Sequence, residues 1–134
     1  MSQAINPLAP GAACGIDEAM IRTLVHAFYA RVRADGVLGP MFETAIGNWD
    51  HHLEKLCAFW SSVTLMTGRY KGAPMQAHAA LPGISDHHFR HWLALFAETA
   101  WTHCPPEAAA LFVDRAERIA RSLRSGIALH RGEP

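Results

Sequence analysis

Two of the nine histidines, His52 and His78, lie in apolar surroundings where an imidazole could bind a metal or a ligand. His52 shares a predicted helix face with Leu56 and Phe59, at offsets of four and then three residues. Its neighbour His51 leaves open which of the two faces the interior, although the face shared with Leu56 favours His52. A core histidine whose ring nitrogens are satisfied by hydrogen bonds remains the alternative for each position.

The remaining histidines support a rival hypothesis, a histidine-rich protein that binds zinc or another divalent metal. His87 and His91 lie four residues apart on a predicted helix, so both could reach one ion, with His51 and His52 as further ligands. The glutamate of an HExxH motif is missing, and a solvated helix face explains the pair as well. Three others are expected to be solvated or partly packed: His26, His103 and His130.

Two aromatic residues with polar tips, Tyr29 and Trp92, lie on two further predicted helices. Each combines an apolar body with one hydrogen-bond donor. Together with His52 and His78 on separate helical pieces, and with many Phe, Trp and Leu around them, they suit a flat apolar cofactor that carries a central metal. If the protein were instead a plain helical interaction module, this combination would be a coincidence.

The hydrophobic periodicity predicts an all-α chain that must position these residues. Predicted helices cover residues 17–34, a single turn at 41–44, residues 48–66, a short piece at 75–80, a long helix capped by Ser85 or Asp86, and a final helix that begins at Pro105 and Pro106. Gly39 and Pro40 are expected to interrupt the chain, and residues 68–74 to form a loop.

Two stretches of the chain resemble the truncated hemoglobins, and most closely their group III. FYARVRADGVLGPMF, residues 28–42, is similar to the distal helix of the family and the corner that follows it. Residues 59–96 contain HxxLP and a downstream FxxWLxLF, and are similar to the segment that carries the proximal histidine. The likeness covers roughly residues 17–129, and the paired glycines of other groups are absent. It implies a truncated globin fold, a helical sandwich around a haem.

The resemblance also implies roles for individual residues. His78 matches the proximal ligand of the iron. The three polar distal positions that are typical of group III match Tyr29, His52 and Trp92. Leu56, one turn beyond His52, matches the apolar distal wall.

Further contacts to the cofactor are expected along the same segments. Phe42 matches the phenylalanine that stacks on the haem. Arg69 and Tyr70 lie at the expected haem edge, where they could hold the propionates, although a solvated arginine in a loop is an equal alternative. The complete set of expected haem contacts is Phe42, Phe59, Arg69, Tyr70, Met75, Ile84 and Phe89.

These roles predict a globin that binds haem b and reversibly binds O2, NO, CO or cyanide. Hydrogen bonds from Tyr29 and Trp92 to a polarised ligand would contribute about 1.5–3 kcal/mol and slow its escape. Tight retention suits ligand sensing, or NO dioxygenase or peroxidase-like chemistry supported by a reductase, better than O2 delivery. The rival metal protein would be colourless.

Composition limits the remaining partners. Lys+Arg and Asp+Glu balance at 12 each, which argues against nucleic acid, and no apolar run approaches the roughly 20 residues that span a bilayer. The 134 residues fit one globin domain, residues 17–134, behind a flexible arm, residues 1–16. Three separated cysteines without a CxxC pair favour the reducing cytoplasm. We expect a monomer.

Overall fold

The computed structural model describes residues 7–70 and 85–130, with side chains up to residue 125. Within these ranges the chain is helical and contains no strand, which confirms the all-α prediction. The helices are α1 (Pro10–Ala13), α2 (Glu18–Ala34), α3 (Leu38–Ala45), α4 (Trp49–Leu65), α5 (Asp86–His103) and α6 (Pro106–His130).

Side-chain caps determine where three of the helices begin. The Asp17 carboxylate accepts a hydrogen bond from the Met20 backbone N–H at 2.8 Å, and the Asn48 side chain accepts one from the His51 backbone N–H at 3.1 Å. At the start of α5, the Ser85 backbone N–H donates to His88 Nδ1 at 3.0 Å. These bonds satisfy amide groups that the first turn of a helix leaves unpaired, as the sequence predicts for Asp17.

Helix α3 is twice as long as the predicted single turn, because Gly39 and Pro40 lie inside its first turn rather than interrupting the chain. Proline is tolerated there because the first amides of a helix have no partner within it. Gly39 lets α3 approach α2 closely, since a Cβ atom at this position would lie 2.7 Å from the Arg33 carbonyl oxygen. Asp35 Oδ1 accepts from the backbone N–H groups of Val37 and Leu38, at 2.8 and 2.9 Å.

Part of the predicted flexible arm is packed against the body of the protein. Helix α1 contacts α4, and a Cβ atom on Gly11 would lie 2.6 Å from the Thr64 carbonyl oxygen. Ala9 and Ile16 are buried. Small and apolar side chains allow residues 9–16, which the sequence analysis assigned to the arm, to lie close to α4.

The core forms where α2 meets the other helices. Helix α2 packs against α3, α4 and α5, and α5 packs against α6. Phe28, Phe96 and Phe112, on α2, α5 and α6, are fully buried at the centre. The two pairs, α2 with α4 and α5 with α6, make a helical sandwich. In the part of the chain that the structure describes, no helix is both long and apolar enough to cross a membrane.

Candidate functional site

Tyr29 lies at the centre of a cluster of aromatic rings. Helix α2 buries its side chain, which is 4% exposed. Its ring centroid lies 6.1 Å from that of Phe42 on α3 and 5.8 Å from that of His52 on α4. The structure therefore brings together residues from three helices, as the resemblance implies for these positions.

Trp92 approaches the same cluster from α5. Its ring meets Phe28 edge to face at 5.3 Å and stacks on Phe96 at 5.6 Å. Its indole Nε1 is buried and has no hydrogen-bond partner among the described residues. The indole lies close enough to Tyr29 to lower the pKa of that hydroxyl, without making a hydrogen bond of good geometry.

Burial favours the protonated state of Tyr29. Removal of water raises the pKa of its hydroxyl, and the smaller opposing effect of Trp92 does not reverse this shift. A tyrosine hydroxyl is protonated at neutral pH in any case, and burial extends that state to higher pH. Two donors therefore lie side by side in the cluster, the hydroxyl of Tyr29 and the indole of Trp92.

The structure distinguishes the two adjacent histidines. His52 is partly buried, and its imidazole contacts both Tyr29 and Trp49 edge to face, with 5.8 Å between ring centroids in each pair. His51 is exposed. The helical face shared with Leu56 thus carries His52 inward, and Leu56 packs partly buried against the core.

A pocket open to solvent lies beside this cluster, between α3, α5 and α6, with about 370 Å³ of empty space that includes the solvent at its mouth. Three of its lining residues were predicted as site residues: Phe42, Phe89 and Trp92. Six were missed: Leu38, Met41, His88, Ile119, Ala120 and Leu123. The apolar stripe of the last helix includes Ile119 and Leu123, but periodicity cannot tell a residue that lines a cavity from one that fills the core. The walls are apolar apart from His88 and the indole of Trp92.

The predicted haem-edge residues have partners within the protein. The Arg69 guanidinium donates to Glu18 on α2, about 16 Å along that helix from Tyr29. The Tyr70 ring meets Phe59 edge to face at 5.2 Å. His78, Met75 and Ile84 lie outside the described residues.

The four histidines of the rival metal site are not brought together. His91 on α5 binds Asp35 at 2.7 Å through Nε2, and His52 lies in the aromatic cluster. His51 and His87 are exposed. Among residues 7–70 and 85–130, no group of three or more His, Cys, Asp or Glu side chains could hold a metal ion.

Trp49, the first residue of α4, is a member of the cluster that the sequence reasoning missed. Its ring centroid lies 6.2 Å from that of Tyr29, and its buried Nε1 has no partner in the described part of the chain. The available signal was its spacing, because a residue three positions before His52 shares a helix face with it.

The chain resembles known proteins in sequence and in fold. No protein-family model matches the chain. It is similar to the Group 3 truncated hemoglobin ctb of Campylobacter jejuni, with 36% identity over 109 residues that cover 78% of this chain and 86% of that protein. It is also similar to the crystal structure of group III truncated hemoglobin from Campylobacter jejuni, with a TM-score of 0.79 and 34% identity, covering 84% of this chain and 91% of that chain. The predicted truncated globin fold is confirmed.

Proposed function

Because the chain belongs to the group III truncated hemoglobin family, we propose that it holds haem b through His78 and reversibly binds O2, NO, CO or cyanide beside Tyr29, His52 and Trp92. The haem, when bound, supplies an iron with one open coordination position. All the proposed site residues come from one chain, so we propose that the protein acts as a monomer.

One observation carries this proposal: the buried indole of Trp92 has no hydrogen-bond partner among the described residues, and it lies beside the buried hydroxyl of Tyr29. The Tyr29 hydroxyl stays protonated. A buried donor that lacks a partner costs roughly 1–3 kcal/mol. A small ligand whose outer atom carries partial negative charge would accept from both groups and offset that cost.

The walls of the cavity also fit the cofactor. Phe42, Phe89 and Ile119 supply apolar surface of the kind that a porphyrin face needs. His88 provides a polar atom in an otherwise apolar lining, apart from the indole of Trp92. An apolar lining of this kind lowers the local dielectric and would strengthen hydrogen bonds from Tyr29 and Trp92 to a ligand.

The donors would slow the release of a bound ligand. Slow release suits a protein that retains its ligand for a reaction better than one that delivers O2. NO dioxygenase or peroxidase-like turnover is the chemistry that such retention would serve. Either reaction would need electrons from a reductase, which we include in the proposal as a partner without naming it.

Absorption spectroscopy of the haem-titrated protein tests this proposal. We expect an intense Soret band that saturates at one haem per chain and shifts when CO is added to the reduced protein. His78→Ala should abolish stable haem binding, because it removes the only protein bond to iron that we propose.

His103→Ala is the matched control, because His103 is exposed at the end of α5. It should bind haem like the parent protein. A parent protein that binds no haem would refute the proposed function. An unchanged spectrum in the His78 variant would refute the assignment of the proximal ligand.

A further inference from the structure

Trp49 borders the aromatic cluster around Tyr29 on the side of α3 and the end of α2. It is the first residue of α4, directly after the Asn48 cap. Its indole contacts the His52 imidazole, three residues later on the same helix, with 5.8 Å between ring centroids and an interplanar angle of 88°. This edge-to-face geometry is favourable for aromatic pairs.

His52 therefore has aromatic rings on two sides. Besides Trp49, it meets Tyr29 edge to face, with 5.8 Å between centroids and an interplanar angle of 86°. An outward movement of the imidazole would break both contacts. Loss of the Trp49 ring would remove one of these two ring contacts.

Trp49 is supported from outside by a charged pair from two other helices. Arg33 Cζ lies 4.5 Å from the centroid of a Trp49 ring, a distance typical of cation–π contacts. Arg33 Nε in turn donates to Glu43 Oε1 on α3 at 2.9 Å. The contacts from Glu43 through Arg33 and Trp49 to His52 form a continuous series that ends at the aromatic cluster around Tyr29.

From this series we propose that Trp49 is a positioning residue, which holds His52 against Tyr29 and thereby restricts the access of water and ligands to the distal pocket. The proposal rests on the proposed function, because the pocket is taken to be the ligand side of the haem. Trp49 acts through His52 and Arg33 acts through Trp49.

The first test measures the association of CO with the reduced, haem-loaded protein by flash photolysis. Trp49→Ala should raise the association rate roughly fivefold, the equivalent of about 1 kcal/mol, because one edge-to-face contact of His52 is lost. Trp49→Phe keeps a ring at this position and should stay within about twofold of the parent protein. Trp101→Ala removes an exposed indole from α5 and is the matched control, with the parental rate expected.

The second test follows Tyr29 and does not depend on ligand rates. The chain has two tyrosines, so ¹³C-tyrosine spectra of the CO complex contain two ring signals, which Tyr29→Phe assigns. Burial raises the pKa of the Tyr29 hydroxyl, so the parental signal should not titrate near pH 10. In Trp49→Ala, water should reach this hydroxyl and bring its pKa down towards the ordinary value.

Arg33→Ala keeps the test decisive if Trp49→Ala does not fold, because the Arg33 side chain is half exposed and lies outside the core. It should change the CO association rate and the Tyr29 signal in the same direction, by a smaller amount. The proposal would be overturned if Trp49→Ala kept the parental values of both readouts. Arg33→Ala takes its place in this comparison if Trp49→Ala does not fold. Equal effects of Trp49→Phe and Trp49→Ala would also overturn the proposal. These outcomes are separate from failure of the proposed function, in which the parent protein itself would bind no haem.

Discussion

Replacement of Tyr29 by phenylalanine tests whether the buried donors retain the ligand. The change removes one hydroxyl and leaves the ring, whose edge-to-face contact with Phe28 at 4.8 Å should persist. Any effect on the release of O2 then reports the lost hydrogen bond rather than lost packing. The Tyr29 ring is almost fully buried, so bulk water cannot replace the missing donor.

The expected magnitude follows from the two donors in the pocket. A hydrogen bond to a strongly polarised acceptor contributes about 1.5–3 kcal/mol when it is the only one. Because Trp92 remains as the second donor, we expect the lower end of this range, about 1.5 kcal/mol, and therefore a roughly 10-fold faster release of O2. Trp92→Phe should act in the same direction. The double variant should not be additive, because both groups donate to one ligand.

Stopped-flow displacement of O2 by CO measures these rates. Trp60→Phe is the control for the loss of indole packing, because Trp60 stacks on the opposite side of Phe96 at 5.3 Å and lines no described cavity. It should release O2 at the parental rate. Parental rates in both Tyr29→Phe and Trp92→Phe would show that ligand retention does not depend on these donors.

Three further predictions concern the surroundings of the pocket. His52→Leu should change the rate of ligand association in stopped-flow experiments while haem stays bound, and unaltered kinetics would exclude His52 from the ligand path. Asp35→Ala should lower the free energy of unfolding by about 1–2 kcal/mol at pH 7 in urea titrations, because the carboxylate caps α3 and pairs with His91. The hydrogen bond from the Leu38 amide, and next that from His91, lower the pKa of Asp35. This stabilisation is therefore present above about pH 4 and is lost as the pH falls through the pKa of the folded state. A difference in unfolding free energy between parent and variant that persists at pH 2 would contradict this prediction. Gly39→Ala should lower the free energy of unfolding by about 1–3 kcal/mol, and with it the melting temperature, because the new Cβ would meet the Arg33 carbonyl oxygen at 2.7 Å. A parental melting curve would show that α3 can move away from α2 at no cost in stability.

Local sequence signals predicted most of the helices and their caps. The hydrophobic period and the caps at Asp17 and Ser85 act within one or two turns of the chain, so they can be read without a tertiary structure. The same locality explains why His52 rather than His51 was favoured, since a helix face is determined by spacing alone. Tyr29 and Trp92 were identified through the family resemblance, and the structure places the two side chains next to each other.

Contacts between distant segments were beyond this reasoning. Gly39 and Pro40 read as an interruption, yet the close approach of α3 to α2 makes a glycine suitable there. Residues 9–16 were assigned to the arm because no local pattern indicates their packing. Gly11 packs against the backbone of Thr64, which is distant in sequence. His91 pairs with Asp35 across two helices, which no pattern within α5 could indicate.

The sequence by itself determined the helical class, the family and the residue types that carry the proposed chemistry, because periodicity, caps and motifs are local properties of the chain. Only the tertiary structure decided which of those groups face one another. The helix packing places Trp49 between Arg33 and His52, and it buries the indole of Trp92 with no hydrogen-bond partner among the described residues. Burial and pairing of this kind depend on the summed packing of several helices, and so they cannot be read from any single segment.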